Sequence, residues 1–266
     1  MDLLTKLTVD KANFPIREEP LITNSNLETG FKAVINENTN SVIGVATHKY
    51  HTIPNADVQK FFDEQIISYF PKKVAESISV QVFLPHNGGK YIKKYQINGE
   101  EYKVEIKEND FVSPTISTYN SYDSSLAMGF DIGAYRLVCS NGMMIGQNFG
   151  SKKMRHYVTC SPEVFQKDLA DAMIKYLEIT SKWKQWVNIP MTMSDATKYL
   201  EKEIVSEKKS NEIIAQFERE QEKTMWGFFN SITWVISHQT TARNPENTIL
   251  SQMNLGRLVN NLYKVA

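Results

Sequence analysis

The residue types and spacing that point most directly to a chemistry lie between Ile132 and Pro162. This run has no acidic residue and carries Arg136, Lys152, Lys153 and Arg155. The whole chain balances 30 basic against 30 acidic side chains, so the run is a local electropositive feature and not a product of overall composition. The chemistry it suggests is neutralisation of phosphates. His156 stands beside Arg155, and Asn141 sits in the sequence Cys-Ser-Asn-Gly, where a turn would offer side-chain and amide hydrogen bonds to an anion. A second basic group, Lys90, Lys93 and Lys94, alternates with Tyr91 and Tyr95 beside the turn-forming His86 to Gly89. Cations interleaved with aromatics on a strand surface form a platform for single-stranded nucleic acid, where stacking contributes ~1–3 kcal/mol per base. The competing reading is an edge strand that its lysines protect from unwanted pairing. In Lys182-Trp183-Lys184-Gln185-Trp186 the tryptophans at i and i+3 read as core anchors, with lysines still within reach of an anion.

Motifs for catalysis are missing. The chain contains no GxxxxGK[ST], GxGxxG after a strand, HExxH or GxSxG. The histidines His48, His51, His86, His156 and His238 are scattered, and Cys139 and Cys160 have no histidine partners at ligand spacing. No metal site and no cofactor is therefore expected, and the protein reads as non-enzymatic. A hydrolase or nuclease built from Asp123, Asp131 and the histidines ranks last, because it needs carboxylates converging on a metal. Cys139 lies in an apolar strand pattern and reads as a buried structural thiol.

These groups need elements to position them. Phe31 to Thr47 reads as a hairpin with its turn at Asn36 to Asn40. After Pro54, with Asn55 as the cap, Val58, Phe61, Phe62, Ile66, Ile67 and Phe70 recur at helical spacing until Pro71. From Ser77 to Gly146 the pattern changes to short Val-, Ile-, Tyr- and Phe-rich runs, an antiparallel meander with a hairpin turn at Asn98-Gly99. Ser161-Pro162-Glu163 starts a long helix with apolar positions from Phe165 to Trp183, ended by Pro190, and the remainder reads as helical. Asn230 and His238 are the polar members of an otherwise apolar helix near the end. The expected class is α+β, an antiparallel β-meander covered by helices. An α+β core domain is expected over 1–190 and a C-terminal helical lobe over 191–266. At 41% hydrophobic the 266 residues can bury a full core, and no segment approaches the ~20 apolar residues of a membrane span. A soluble protein of a reducing cytoplasm is expected.

The sequence RLVCSNGMMIG, followed by KKMRH and later by WGFFNSITWVISHQTTAR, resembles the phage/plasmid-like proteins grouped as domain of unknown function 932. The matching positions are Arg136, Val138, Cys139, Asn141, Arg155, His156, Trp226, Asn230, Thr233 and His238. Ser140 and Gly142 depart from the usual pattern. The resemblance implies a mobile-element setting in a bacterial cytoplasm. The order of elements is also similar to single-strand annealing proteins, an analogy of architecture alone.

The reading that joins these observations is a phage- or plasmid-encoded nucleic-acid-binding protein. It would be oligomeric and bind single-stranded DNA in recombination or replication through Arg136, Asn141, Lys152, Lys153, Arg155, His156, Lys90, Lys93, Lys94, Tyr91 and Tyr95. The alternative is an accessory or anti-defence protein that binds a host protein. The neutral net charge favours that alternative, since dedicated nucleic-acid binders are usually basic.

Overall fold

A computed structural model describes residues 12–136, 141–143, 152–153, 162–203, 205–238, 258 and 261–262. The fold is α+β. Strands β1 (Ile16–Ile22), β2 (Glu28–Asn36) and β3 (Ser41–Thr47) form a three-stranded antiparallel sheet in that order. The expected hairpin is the β2–β3 pair, closed where Asn40 adopts a left-handed φ of 51°. Strand β1, IREEPLI, carries three charged residues and a proline, a poor strand signal, and occupies an edge where the proline's missing N–H is tolerated.

Helix α1 (Asn55–Tyr69) and the short α2 (Lys72–Ser77) precede a seven-stranded sheet. Its strands are β4 (Ser79–Phe83), β5 (Lys90–Gln96), β6 (Val104–Lys107), β7 (Asp110–Ser121), β8 (Gly129–Arg136), β9 (Asn141–Met143) and β10 (Lys152–Lys153). The order is β10-β8-β7-β5-β4, with β6 added to β7 and β9 added to β8. Helices α3 (Pro162–Trp186), α4 (Met193–Lys202), α5 (Glu207–Arg219) and α6 (Met225–His238) follow.

Three local expectations are corrected. The residue preceding α1 is Pro54, and Asn55 is the first helical residue, its side chain turned into the interior and not back onto the helix end. Asn98-Gly99 is not a two-residue hairpin turn, because β5 pairs with β4 and β7 while β6 pairs with β7. Neither residue has a positive φ, and the Asn98 amide donates to Ser77 O at 2.8 Å and Ser79 Oγ at 3.2 Å. The tight connection lies instead at Glu108-Asn109 between β6 and β7, where Asn109 has a φ of 60°. Third, Asn141 and Gly142 lie in strand β9, opposite Arg136 and Tyr135 of β8, and not in a turn.

The described residues form two compact units that are not the segments 1–190 and 191–266. The first takes residues from 12–99, 116–131, 152–153 and 162–170, and the second from 100–115, 132–143 and 171–262. The chain passes between them within β7, β8 and α3, so a cut at Pro190 separates neither unit from the other.

In the first unit, Phe62 of α1 and Phe165 of α3 meet edge to face with centroids 5.3 Å apart, and Phe130 of β8 meets Phe165 at 5.0 Å. Such pairs add ~0.5–1.5 kcal/mol to the burial of their area. Val34, Ile43 and Tyr122 form a second cluster with Phe14 and Ile16. In the second unit, Trp183 and Trp186 of α3 are buried against Trp226 and Phe229 of α6, which makes them the anchors their spacing predicted. Phe228 bridges to Tyr199 of α4 and Phe217 of α5.

Candidate functional site

Strand parity decides the fate of the Lys/Tyr group on β5. Successive side chains of a strand point to opposite faces, so Tyr91, Lys93 and Tyr95 share one face and Lys90, Ile92 and Lys94 the other. The first face is wholly interior, with Tyr91, Lys93 and Tyr95 each 0% exposed. It meets α1, whose buried side carries Asn55, Gln59 and Asp63 at i, i+4 and i+8 among Val58, Phe62 and Ile66.

Lys93 Nζ donates to both Asp63 oxygens, at 2.6 and 2.8 Å, and Tyr95 OH donates to Oδ1 at 2.6 Å. The Lys93 ammonium also lies 5.0 Å from the Tyr95 ring centre. Burial outweighs the Lys93 contact and holds the Asp63 carboxyl above its usual range, and burial likewise lowers Lys93. Asn120 Nδ2 donates to Asn55 Oδ1 and Ile53 O, both at 3.0 Å, and Tyr122 OH accepts the Asn55 amide at 2.8 Å. Lys93, Tyr91 and Tyr95 therefore cannot neutralise phosphates or stack on bases. They specify the packing of α1 on the sheet.

The other face of β5 keeps part of the expected role. Lys90 and Lys94 are half-buried on it, and the ladder places Gln81 opposite Lys94 and Ser79 opposite Gln96. Among the β4 and β5 residues on this face only Ile92 and Phe83 are apolar. Burial pushes the Lys94 ammonium down to about 8. Lys152 and Lys153 form β10 of the same unit, their backbone opposite Phe130 and Gly129 of β8. Arg155 and His156, together with Cys139 and Cys160, lie outside the described residues.

Arg136 is the second correction. It ends β8 in the second unit, is 7% exposed and is held by Asp110, the first residue of β7. Nε donates to Oδ1 at 2.7 Å and Nη2 to Oδ2 at 2.6 Å, a two-pronged ion pair that balances the charge locally. Trp226 Nε1 donates to the same Oδ2 at 3.0 Å, and the guanidinium lies 5.6 Å from the Trp226 ring centre. A cation so enclosed does not serve as a phosphate ligand.

The cluster has a different consequence. Arg136, Trp226 and Asn230, three positions that carried the sequence resemblance, converge on one polar cavity of about 190 Å³ in the second unit. The backbone of Asn141 pairs with that of Arg136 in the β8–β9 ladder, and Thr233 Oγ1 donates to Asn230 O at 3.0 Å. Asp110 was missed, because a single aspartate at a strand start carries no spacing signal.

The walls of the cavity follow from the α5–α6 connection. Lys223 Nζ donates to the carbonyls of Phe217 at 3.0 Å, Glu218 at 3.1 Å and Glu220, closing the exposed C-terminal carbonyls of α5. This fixes Glu220, Gln221 and Glu222 at the cavity's edge. A Cβ on Gly227 would lie 2.4 Å from Glu222 O, so only glycine lets the connection lie against the first turn of α6. Lys107 of β6 meets Glu222 at 2.8 Å, both partly exposed. Among the described residues no three His, Cys, Asp or Glu side chains are grouped to hold a metal, and Asp123 instead accepts from the Ser125 amide and hydroxyl.

No helix among the described residues is long and apolar enough to cross a membrane. No curated protein and no solved structure matches this chain. A family profile does match, over residues 42–255, which is most of the sequence and includes both the β5 face and the Arg136–Trp226–Asn230 cavity. The chain belongs to the family described as Domain of unknown function (DUF932).

Proposed function

We propose that the protein is a non-enzymatic binder of single-stranded nucleic acid, acting as a homo-oligomer, with the outer face of β5 as part of the contact surface. One observation carries the reading. Lys90 and Lys94 lie four residues apart on a single strand face, half-buried and flanked by Gln81, Gln96 and Ser79. A partly desolvated lysine gains more from a phosphate than a fully solvated one, because the local field is less screened. The lysines of β10 belong to the same unit and extend the cationic inventory. The stacking role given to Tyr91 and Tyr95 is withdrawn with their burial.

Fluorescence anisotropy with a labelled oligo-deoxythymidine across a salt series tests this directly. The logarithm of affinity should fall linearly with log salt, with a slope of about −0.7 per neutralised phosphate on a single strand. Lys90→Ala and Lys94→Ala should each reduce that slope by roughly 0.7 while leaving the fold intact. An affinity indifferent to salt, or unmoved by the double substitution, refutes the proposal.

A second reading, an accessory protein whose partner is another polypeptide, is favoured by the three-stranded sheet. Phe31, Val42 and Val45 are exposed on it, as are Ile22 and Leu27 near the β1–β2 turn, and the outer edges of β1 and β3 have no strand partner among the described residues. Contiguous exposed apolar side chains mark interaction surfaces. In the first reading a second copy of the chain covers this face. Light scattering across a concentration series separates the two. Self-association that Phe31→Ser and Val45→Ser abolish supports the oligomer, and a strict monomer supports the accessory protein.

A further inference from the structure

We infer that strand β4 is an interface between copies of this chain, pairing antiparallel with β4 of a second copy about a two-fold axis at Gln81. This rests on the homo-oligomer reading above and deepens it, because the pairing would join the Lys90 and Lys94 faces of two copies. All the residues involved belong to the first unit.

The edge is open and unprotected. Strand β4, SVQVF, ends the order β10-β8-β7-β5-β4, its outer side has no strand partner among the described residues, and none of its five residues is buried. Edges are commonly blunted by charge or proline, as β1 is by Arg17, Glu18, Glu19 and Pro20. Strand β4 carries neither. The direction of its amides follows from the register. Lys90 N donates to Pro85 O at 3.1 Å, and hydrogen-bonded pairs alternate along an antiparallel ladder, so Phe83–Ile92, Gln81–Lys94 and Ser79–Gln96 exchange the bonds between β4 and β5. The N–H and C=O groups of Val80 and Val82 therefore point outward, a template for another strand.

The same residues decide which strand fits. Setting Val80 against the second copy's Val82, and Val82 against its Val80, exchanges both N–H···O bonds in each pair and brings the two Gln81 side chains face to face. Each Gln81 amide can donate to the other's carbonyl. Valine opposes valine, Ser79 opposes Phe83 and no like charges meet, so the strand complements itself under a two-fold axis. Lys94 and its counterpart end three strand spacings apart, ~14 Å, beyond the Debye length of ~8 Å at physiological salt, and their repulsion is screened.

A two-fold axis normal to the sheet keeps each face on its own side. The lysine-bearing faces of two copies thereby become one surface, with Lys90 and Lys94 of each flanking the paired edges, which suits a polyanion that runs from one copy to the next. A contact of five residues is small, so it acts beside the exposed face of the three-stranded sheet and not in place of it. Two separate contacts on each chain build assemblies of more than two copies.

Light scattering of the full chain over a concentration series should give a mass above two chains. Gln81→Lys sets like charges against each other at the axis of the pairing, on an exposed position that the fold tolerates, and the mass should fall to two chains. Gln81→Cys reads the register. Cα atoms of a pair of this kind lie ~4.5 Å apart, within disulfide reach, so mild oxidation should give a covalent dimer above the background set by Cys139 and Cys160 in the unsubstituted chain. Ser79→Cys, which would face Phe83, should stay at that background. The inference is overturned if the wild-type mass stops at two chains, if Gln81→Lys leaves it unchanged, or if Gln81→Cys cross-links no more than Ser79→Cys. Each of those outcomes leaves the homo-oligomer reading standing, whereas a chain that is monomeric at every concentration removes both.

Discussion

Asp110 joins β7, β8 and α6 through one carboxylate, and Asp110→Asn isolates what its charge contributes. The substitution is nearly isosteric and leaves an amide oxygen for one of the three donors, the Arg136 Nε, the Arg136 Nη2 or the Trp226 indole. What it removes is the counter-charge of a guanidinium that is 7% exposed. Breaking a buried pair on one side costs about 3–5 kcal/mol, because the remaining charge stays desolvated. The retained hydrogen bond places Asp110→Asn near the lower end, ~3 kcal/mol. For a domain of this size each kcal/mol moves the unfolding midpoint by ~2–4 °C, so Tm should fall by roughly 6–12 °C.

Urea unfolding monitored by tryptophan fluorescence provides the free energy, with an unchanged m-value confirming that stability and not compactness has altered. The double variant Asp110→Leu with Arg136→Met should recover much of the loss, since an apolar replacement of both partners leaves no buried charge behind. A loss below about 1 kcal/mol for Asp110→Asn, the range of exposed pairs, would refute the account of a sequestered Arg136 and reopen its availability to phosphate.

Three further outcomes follow from the first unit. Gly44→Ala would set a Cβ 2.8 Å from the backbone carbonyl of Tyr122, a neighbour that cannot swing away, and should cost at least the ~1–3 kcal/mol of overpacking in a denaturant titration. Tyr122→Phe leaves the buried Asn55 amide without its acceptor and should destabilise by about 1–3 kcal/mol; slow amide exchange persisting at Asn55 would contradict this. Lys94, pushed down to about 8, is penalised when charged in the folded state. Between that value and the ordinary ~10.4 the unfolded chain holds a proton that the folded chain does not, so its contribution to stability improves as pH rises through this window. Lys94→Met should therefore stabilise the protein at pH 7 and have little effect at pH 10.5, and an equal effect at both would rule out the burial argument.

Local patterns survived where one residue's own preference fixes its conformation. Pro162 starts α3 as expected, the β2–β3 turn falls within Asn36 to Asn40, and the i, i+3 tryptophans of α3 are buried. Strand alternation was also legible in Lys90 to Tyr95 and would have separated the half-buried cations from the tyrosines. The polar stripe Asn55, Gln59 and Asp63 was legible too, since i, i+4 and i+8 place it beside the apolar face of α1 and not opposite it.

The candidate cavity was only half legible. Arg136, Trp226 and Asn230 could be singled out along the chain, but the meeting of Arg136 and Trp226 on Asp110 depends on strand pairing and helix packing across more than a hundred residues. By itself the sequence determined the class of the fold, the periodicity of its elements and a stock of positive charge, because these follow from backbone preference and burial pattern. Which cations stay available was decided only by tertiary structure. A lysine or arginine reads the same in sequence whether or not a distant carboxylate reaches it, and Asp63 reaches Lys93 while Asp110 reaches Arg136 only in the folded chain.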